Sequence, residues 1–220
     1  MKSITVSENV LNHIRYQIVT GEFSPGQKLN EADLTSSLAV STAPIREALR
    51  VLQNENLVMT IPWKGTFVTE LSVEDCQQIY EVRKVIECAC VDIFQKRKIK
   101  DLSNDAIMEP LPYQSLLDAL SKRRKTFSGL VKFHFRFPRL TGNKWLTRLY
   151  DAIACTIIRY QLIGFKPGYP QQFEEEHKRF TRFIKDGRYE QAKEFLKKHI
   201  DHSFRIVADQ MMKDLKKGQK

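Results

Sequence analysis

Three short helical patterns, followed by a short alternating segment, occupy residues 5–69 and limit the folds open to this chain. A capping-box sequence at residues 5–8 predicts the start of a first helix, Asn30 can cap a second, and Pro44 suits the first turn of a third. Apolar residues recur behind these starts at helical spacing, namely Leu11, Ile14 and Ile18, then Leu34 and Leu38, then Ile45, Ala48, Leu49 and Leu52. Two short helices joined by a tight turn are typical of a helix-turn-helix motif.

The residues after the third helix predict two strands joined by a turn. Residues 57–60 and 66–69 are rich in strand-forming side chains, and Lys64 lies at the tip of the turn between them. Three helices followed by a small β-hairpin indicate a winged helix, in which Lys64 would contact a backbone phosphate. Arg46, Arg50 and Gln53 project from successive turns of the third helix, opposite its apolar face, where they could reach a major groove. Without the wing, the same three residues would more often form a solvated face.

Three runs in this segment resemble the DNA-binding domain of the GntR family of bacterial regulators. They are residues 23–31 (FSPGQKLNE), 44–49 (PIREAL) and 64–68 (KGTFV), in the order and spacing of that family. In the family, the arginine of the second run contacts operator bases, and the glycine of the wing approaches the DNA backbone closely. The resemblance therefore implies these roles for Arg46 and Gly65, with double-stranded operator DNA as the partner.

Two departures from the family pattern bear on DNA recognition. Ala32 stands where the family has arginine in its L-S-E-R-E-L stretch, and residues 41–44 are Ser-Thr-Ala-Pro where the family has S-R-T-P. Ser41 and Thr42 stay in the predicted DNA-binding set, but two expected arginines are missing. Each lost bidentate guanine contact removes roughly 1–3 kcal/mol of discrimination. The departures predict an operator that differs from the family's usual one, or weaker binding.

The positive charge of the chain is concentrated outside the predicted DNA-binding segment. The formal net charge is +10, yet residues 1–72 contain six Lys/Arg against seven Asp/Glu, and residues 73–220 contain 30 against 19. Basic surfaces attract phosphates and other anions. The distribution therefore favours an anionic ligand of the C-terminal region, or loose steering toward DNA. No apolar run approaches the roughly 20 residues of a membrane span, and we expect a cytoplasmic protein without membrane contact.

A second, all-helical domain is predicted behind the winged helix. Ser72 begins a capping box and opens a long helix. The apolar residues of this helix keep helical period: Ile79, Val82, Ile86 and Ile93. Residues 80–87 (YEVRKVIE) resemble the start of the FCD ligand-binding domain of the FadR-type subgroup, and this resemblance extends to about residue 206. It implies a mainly α fold, with a winged helix-turn-helix over residues 1–71 and a helical-bundle domain for ligand binding and dimerisation over residues 72–220.

Three histidines lie on apolar faces of separate predicted helices: His134, His177 and His199. A single histidine on such a face is usually a core residue. Helices of a bundle can, however, bring several imidazoles together as ligands of a divalent ion. The FCD resemblance implies that these three histidines bind a metal, together with an aspartate one turn before the first of them.

The aspartate position is occupied here by Leu130, and residues 121–134 contain no acidic residue. A site of three histidines without that carboxylate needs a ligand oxygen or water to complete its coordination. Zinc, nickel and manganese are the candidate ions, and a metal-free ligand pocket is the competing state. Arg83 is the candidate partner for the carboxylate of a ligand, because guanidinium and carboxylate groups match in planar geometry. An internal ion pair between Arg83 and an acidic side chain is the alternative.

These features together favour a transcriptional regulator, such as a repressor, that binds operator DNA as a homodimer. A small carboxylate effector would bind to Arg83 and the three histidines and modulate DNA binding. One alternative is a metal- or ligand-binding module with weak or lost operator specificity, and another is a metal-dependent hydrolase. The hydrolase lacks a visible general base, because the glutamates at residues 174–176 are better explained as a solvated helix start. We therefore expect no enzymatic activity.

Overall fold

The structure is a computed structural model that describes residues 5–102, 111–123, 125–165 and 171–218, the side chains of residues 123, 125–130 and 218 excepted. The elements in chain order are α1 (Val6–Thr20), β1 (Lys28–Leu29), α2 (Glu31–Leu38), α3 (Thr42–Asn54), β2 (Val58–Ile61), β3 (Gly65–Val68), α4 (Val73–Arg97), α5 (Gln114–Arg123), α6 (Lys125–Leu140), α7 (Lys144–Gly164), α8 (Gln172–Lys185) and α9 (Tyr189–Gly218). This order confirms the predicted mainly α fold, with a winged helix-turn-helix ahead of a helical region. None of the described helices is long and apolar enough to cross a bilayer.

The chain divides into two compact units. The first comprises Met1–Leu71 and Ala152–Arg159, and the second comprises Ser72–Asp151 and Tyr160–Lys220. The domain boundary expected after residue 71 stays a prediction.

The first two helices of the first unit begin where their capping residues predict. The Thr5 hydroxyl accepts a hydrogen bond from the Glu8 amide, and the Glu8 carboxylate accepts one from the Thr5 amide, which completes a capping box ahead of α1. Asn30 caps α2 by accepting a hydrogen bond from the Ala32 amide. Apolar side chains of α1, α2 and α3 are buried and contribute the core of this unit: Ile14, Ile18, Leu34, Ile45, Ala48, Leu49 and Leu52.

The wing is a three-stranded antiparallel sheet in the order β1-β3-β2, rather than a two-stranded hairpin. β2 and β3 form the predicted hairpin, in which Ile61 lies opposite Gly65. The added strand, β1, places Lys28 opposite Phe67 of β3. A strand of two residues has no alternating pattern, so its pairing with a strand much later in the chain could not be predicted from the sequence.

Four helices of the second unit share contacts that position the histidines. α4 and α8 each pack against both α6 and α9, and α5 packs against α6. α4 begins behind Ser72, whose hydroxyl accepts a hydrogen bond from the Asp75 amide, as the capping pattern predicts. Side chains on the inward faces of α4, α6, α8 and α9 can therefore meet in the centre of this unit.

The buried face of α4 differs from the apolar face predicted for it. Val82, which was expected to point inward, is 45% exposed, whereas Arg83 and Glu87 are buried one turn apart. The two charged side chains pair with each other, with 2.7 Å between Arg83 Nε and Glu87 Oε1. Two buried charges that pair with each other can occupy a helix face that hydrophobicity alone does not identify.

Candidate DNA-binding face and histidine site

The residues expected to recognise DNA lie on an exposed face of α3. Ser41 is the N-cap residue of this helix and is exposed. Thr42, Arg46 and Arg50 follow at intervals of four residues, so they share one helix face. All three are exposed, and 70% of the Arg46 side chain is accessible to solvent. These side chains are therefore available to a partner as large as a DNA duplex.

Arg46 forms an ion pair with Glu31 at the start of α2, with 2.8 Å between Nε and Oε2. Both side chains reach solvent, and exposed ion pairs contribute roughly 0–1 kcal/mol. A phosphate or a guanine can therefore displace Glu31 from Arg46 at low cost. The pairing could not be predicted from the sequence, because the two residues are 15 positions apart.

The wing presents lysines next to its glycine. Lys64 is exposed at the tip, and Gly65 follows with a φ of +109°, a conformation that favours glycine. A β-carbon at Gly65 would lie 3.1 Å from Cε of Lys28 on β1. Lys28 is therefore a further cation beside the wing glycine. It was absent from the predicted site because the strand that carries it was not predicted.

Three helices bring the selected histidines to one buried point. His134 on α6, His177 on α8 and His199 on α9 are 2%, 6% and 5% exposed, respectively. Nε2 of His134 lies 3.1 Å from Nε2 of each of the other two, and the remaining Nε2 pair is 3.2 Å apart. Within the described part of the chain, this is the group of side chains whose spacing suits a metal ion.

Carboxylates fix the orientation of two of these imidazoles. Nδ1 of His134 lies 2.7 Å from Oε2 of Glu87, and Nδ1 of His199 lies 2.6 Å from Oε2 of Glu176. Because an ionised carboxylate only accepts hydrogen bonds, each Nδ1 is the protonated nitrogen, and Nε2 of the neutral ring carries a lone pair. His177 is held in another way, by stacking on Phe133 with 4.0 Å between the ring centroids.

Burial keeps the three imidazoles neutral. It lowers the pKa of His134 to about 3 and also holds the pKa values of His177 and His199 below their usual value. The charge of Arg83 lowers the pKa of all three rings further. Burial raises the pKa of Glu87, but its interactions with His134 and Arg83 outweigh burial and lower this pKa to about 2. Neutral imidazoles supported by an ionised carboxylate are the protonation state that metal binding requires.

The spacing of the nitrogen atoms fits a divalent ion. Nitrogen ligands about 2.0–2.1 Å from a common ion lie about 2.8–3.4 Å apart at octahedral or tetrahedral angles, and the three Nε2–Nε2 distances of 3.1–3.2 Å fall in that range. The lone pairs of His134 and His199 face each other at 3.1 Å, an arrangement that a cation would stabilise. Of the candidate ions, zinc and nickel accept imidazole readily, whereas manganese prefers oxygen ligands.

The carboxylate ligand expected by analogy with the family has no counterpart on α6. Leu130 lies on this helix one turn before His134, and its side chain is outside the described residues. Glu87 is a buried carboxylate at the site, but one oxygen binds His134, and the other accepts hydrogen bonds from Arg83 Nε at 2.7 Å and from the Tyr150 hydroxyl at 2.6 Å. Glu87 therefore orients His134 through Nδ1, and none of its contacts would make it a ligand of an ion held by the three Nε2 atoms.

Arg83 makes the internal ion pair that was the alternative to ligand binding. Its Nε donates to Glu87, but its Nη1 is buried and has no hydrogen-bond partner among the described residues. A buried N–H group without a partner carries a desolvation penalty. Nη1 is therefore a donor that the carboxylate of a ligand could satisfy.

Glu87 and Glu176 are the residues of this site that the sequence pattern did not predict. The expectation that residues 174–176 form a solvated helix start is wrong for Glu176, which is only 26% exposed and binds His199. Residues 174 and 175 are exposed as expected. No local signal distinguishes Glu176 from its two neighbours, because the partner lies on another helix.

Comparisons with known proteins match both the winged-helix segment and the helical region that contains the three histidines. Residues 6–68 match the family model described as bacterial regulatory proteins, gntR family, and residues 78–202 match the model of the FCD domain. The HTH-type transcriptional regulator YdhC of Bacillus subtilis (strain 168) is 25% identical over 197 residues, which cover 87% of this chain and 86% of the relative. The gluconate operon transcriptional repressor of the same organism is 30% identical over 177 residues, which cover 80% of this chain and 70% of the relative.

Solved structures share the fold. A GntR transcriptional regulator from Rhodococcus sp. RHA1 aligns with a TM-score of 0.69 at 23% identity, covering 91% of this chain and 96% of that chain. E. coli McbR/YncC aligns with a TM-score of 0.66 at 18% identity, covering 95% of this chain and 100% of that chain. At these identities the similarity extends to the fold alone.

Proposed function

This chain belongs to the gntR family of bacterial regulatory proteins and carries an FCD domain behind its DNA-binding domain, and we propose that it regulates transcription in response to a small organic acid. The observation that carries this proposal is the convergence of three buried Nε2 atoms beside a buried guanidinium. Glu87 connects the two groups, because it contacts both Nδ1 of His134 and Nε of Arg83. The excess of positive charge in residues 73–220 favours an anionic ligand in the same part of the chain.

We propose that His134, His177 and His199 hold a divalent ion through Nε2. When bound, the ion supplies a positive charge that attracts a carboxylate oxygen of the ligand. Arg83 donates a hydrogen bond from Nη1 to the same class of ligand. Glu87 keeps both ends of this arrangement in place, because it accepts hydrogen bonds from Arg83 and from His134 at the same time.

On the DNA side, Arg46 and Arg50 are proposed to contact base edges in the major groove, while Lys64 and Gly65 contact the sugar-phosphate backbone. We propose further that the protein is a homodimer whose two winged helices bind two half-sites. Ligand binding would then change the fit of the two winged helices to those half-sites.

A DNA-binding titration tests both parts of this proposal. Fluorescence anisotropy compares a labelled duplex from the region upstream of the protein's own gene with a scrambled duplex, for the wild type, Arg46→Ala and His177→Phe. We expect the wild type to prefer its own duplex and Arg46→Ala to lose about 5- to 150-fold of that preference. Phenylalanine at position 177 keeps a ring that can stack on Phe133 but removes Nε2. This variant should therefore bind DNA selectively without responding to zinc plus citrate, which serves as a carboxylate probe.

Equal, salt-sensitive binding of both duplexes by the wild type would favour the alternative function, a ligand-binding module without operator specificity. The missing arginines at Ala32 and Thr42 support that alternative. The hydrolase alternative has no such support, because the two carboxylates described at the histidine site, Glu87 and Glu176, both accept hydrogen bonds from imidazole Nδ1.

A further inference from the structure

The tip of the wing places a tryptophan where the backbone favours glycine. The Lys64 amide donates a hydrogen bond to the Ile61 carbonyl at 3.1 Å, which closes a turn with Pro62 and Trp63 at its centre. Trp63 has a φ of +65°. This positive value is what the third residue of a type II turn requires, and glycine or asparagine usually supplies it. A bulky side chain adopts this conformation only at a conformational cost.

Packing within the protein does not offset that cost. The relative exposure of Trp63 is 104%, the highest of the large apolar side chains in the described part of the chain. An indole ring stabilises a protein by removing a large apolar surface from water, and Trp63 leaves that surface fully hydrated. A strained backbone and an unburied indole at one residue both indicate a role in contact with another molecule.

The surroundings of the turn identify the partner. Lys64 and Gly65, which are proposed to contact the DNA backbone, follow Trp63 directly. The Thr60 hydroxyl on β2 donates a hydrogen bond to Oε1 of Gln53 on α3 at 3.1 Å. The wing is thus fastened to the helix that presents Arg46 and Arg50, and Trp63 lies at the tip of this wing, three residues after Thr60.

We propose that Trp63 contacts DNA in the minor groove, where its indole packs against the deoxyribose walls. An uncharged ring is not attracted to phosphate, but apolar side chains of DNA-binding proteins do enter the minor groove. This assignment rests on the proposed function, because it requires the winged helix to bind DNA. It provides the chain with a DNA contact that is independent of the arginines missing at Ala32 and Thr42.

Three substitutions in the full-length chain test the contact, with the duplex from upstream of the protein's own gene as the probe. Trp63→Gly removes the ring, Trp63→Phe keeps an apolar ring, and Lys64→Ala removes a neighbouring charge. We expect Trp63→Gly to weaken DNA binding about tenfold and Trp63→Phe to retain most of the affinity. Trp63→Gly should leave the slope of log affinity against log salt unchanged. Lys64→Ala should make the slope shallower by about 2 for a dimer on two half-sites, because each protomer loses one lysine that neutralises a phosphate.

Thermal unfolding separates a DNA contact from a structural role. Trp63→Gly should unfold at the same temperature as the wild type or a higher one, because glycine adopts the positive φ without strain. Lys98→Gly is the matched control, since Lys98 also has a positive φ, +55°, but lies at the C-cap of α4. This control should show the same direction of change in unfolding temperature with unchanged DNA affinity. A lower unfolding temperature for Trp63→Gly, with DNA affinity unchanged, would overturn the proposal.

Intrinsic fluorescence gives a direct readout, because the chain has two tryptophans, Trp63 and Trp145. In Trp145→Phe, the emission reports Trp63 alone, and saturating DNA should protect it from quenching by acrylamide.

The proposal is overturned if Trp63→Gly binds DNA within twofold of the wild type, or if DNA leaves acrylamide quenching unchanged. If one of these two results is obtained while Arg46→Ala abolishes selective binding, the proposed regulator is supported and only the Trp63 contact is wrong. If the wild type shows no selective binding, both proposals fail.

Discussion

Among single residues, Glu31 has the most direct influence on the availability of Arg46 to DNA. The ion pair between them spans 2.8 Å, and both side chains are accessible to solvent. A carboxylate on a DNA-binding face also repels phosphates. Residues 1–72 contain fewer Lys/Arg than Asp/Glu, so the surrounding charge of this segment does not compensate for that repulsion.

We predict that Glu31→Gln raises the affinity for the upstream duplex about two- to tenfold. Glutamine keeps the shape of the side chain but releases Arg46 and removes a negative charge that faces the phosphates. Asp33→Asn is the control, because Asp33 lies in the same first turn of α2 without pairing with Arg46, and its effect should be smaller. Anisotropy titrations at constant salt measure both variants. A loss of affinity in Glu31→Gln would show instead that Glu31 orients Arg46 for base contact.

The buried histidines make the stability of the folded protein sensitive to acid. An unfolded histidine titrates near pH 6.5, whereas burial lowers the pKa values of His134, His177 and His199 in the folded state. Below about pH 6.5 the unfolded chain therefore binds protons that the folded protein does not bind. The free energy of unfolding therefore keeps its full value above about pH 6.5. It decreases as the pH falls toward the pKa of the folded state, which is about 3 for His134.

We predict that chelator-treated protein loses free energy of unfolding as the pH falls from about 7.5 to about 5.5. Each buried histidine contributes up to about a tenfold change in the folding equilibrium per pH unit below its unfolded pKa. Urea denaturation at a series of pH values measures the change. His177→Phe should show a shallower dependence, because one titrating group is gone. A free energy of unfolding that stays constant over this range would contradict the burial of neutral imidazoles.

At the scale of secondary-structure elements, the end of α7 lies directly against α9. A β-carbon at Gly164 would lie 2.7 Å from Cα and 2.5 Å from Cγ2 of Val207. Because the nearer groups include the backbone of α9, a rotamer change cannot make room for a methyl group. The glycine is required here by the close approach of two helices rather than by an unusual backbone conformation.

We predict that Gly164→Ala destabilises the protein by about 1–3 kcal/mol, although alanine is usually better than glycine in a helix by about 1 kcal/mol. Gly21→Ala is the comparison, because Gly21 has a φ of +83° but a β-carbon there meets no atom within 4 Å. It should lose only about 1 kcal/mol through backbone strain. Urea denaturation of both variants distinguishes the two causes. A Gly164→Ala variant as stable as the wild type would mean that α7 and α9 can separate at no cost.

For the whole molecule, the positive charge and the DNA-binding face belong to different parts of the chain. The net charge is +10, but the excess lies in residues 73–220. Among the described residues of the winged helix, 5–71, the exposed cations are Lys28, Arg46, Arg50 and Lys64. Affinity for DNA should therefore depend on salt only as strongly as these few contacts allow.

We predict a slope of log affinity against log salt no steeper than about −7 for a dimer on two half-sites. Each neutralised phosphate contributes about −0.9 to the slope, and each winged helix supplies the four cations named above. Anisotropy titrations of the full-length wild type over a range of salt concentrations measure it. A steeper slope would show that cations other than these four also contact DNA.

The sequence by itself determined those features that depend on neighbouring residues. The caps at Thr5, Asn30 and Ser72 and the buried face of α3 are where local patterns predict them, because capping and helical periodicity act over about one or two turns. The exposure of Arg46 follows from the same periodicity. Spacing also placed the three histidines on inward helix faces, and the family resemblance supplied the expectation that they meet.

Tertiary structure alone decided which distant groups become partners. Glu87 and His134 are 47 positions apart, and Glu176 and His199 are 23 apart. Contacts between distant elements also decided two further features, namely the pairing of β1 with β3 and the burial of Arg83 in place of Val82. Periodicity describes which side of one helix faces inward, but a contact between two elements also depends on their axial positions and packing, which no local pattern encodes. The support of the histidine site is therefore a property of the packed helices, whereas the three histidines themselves were visible in the sequence.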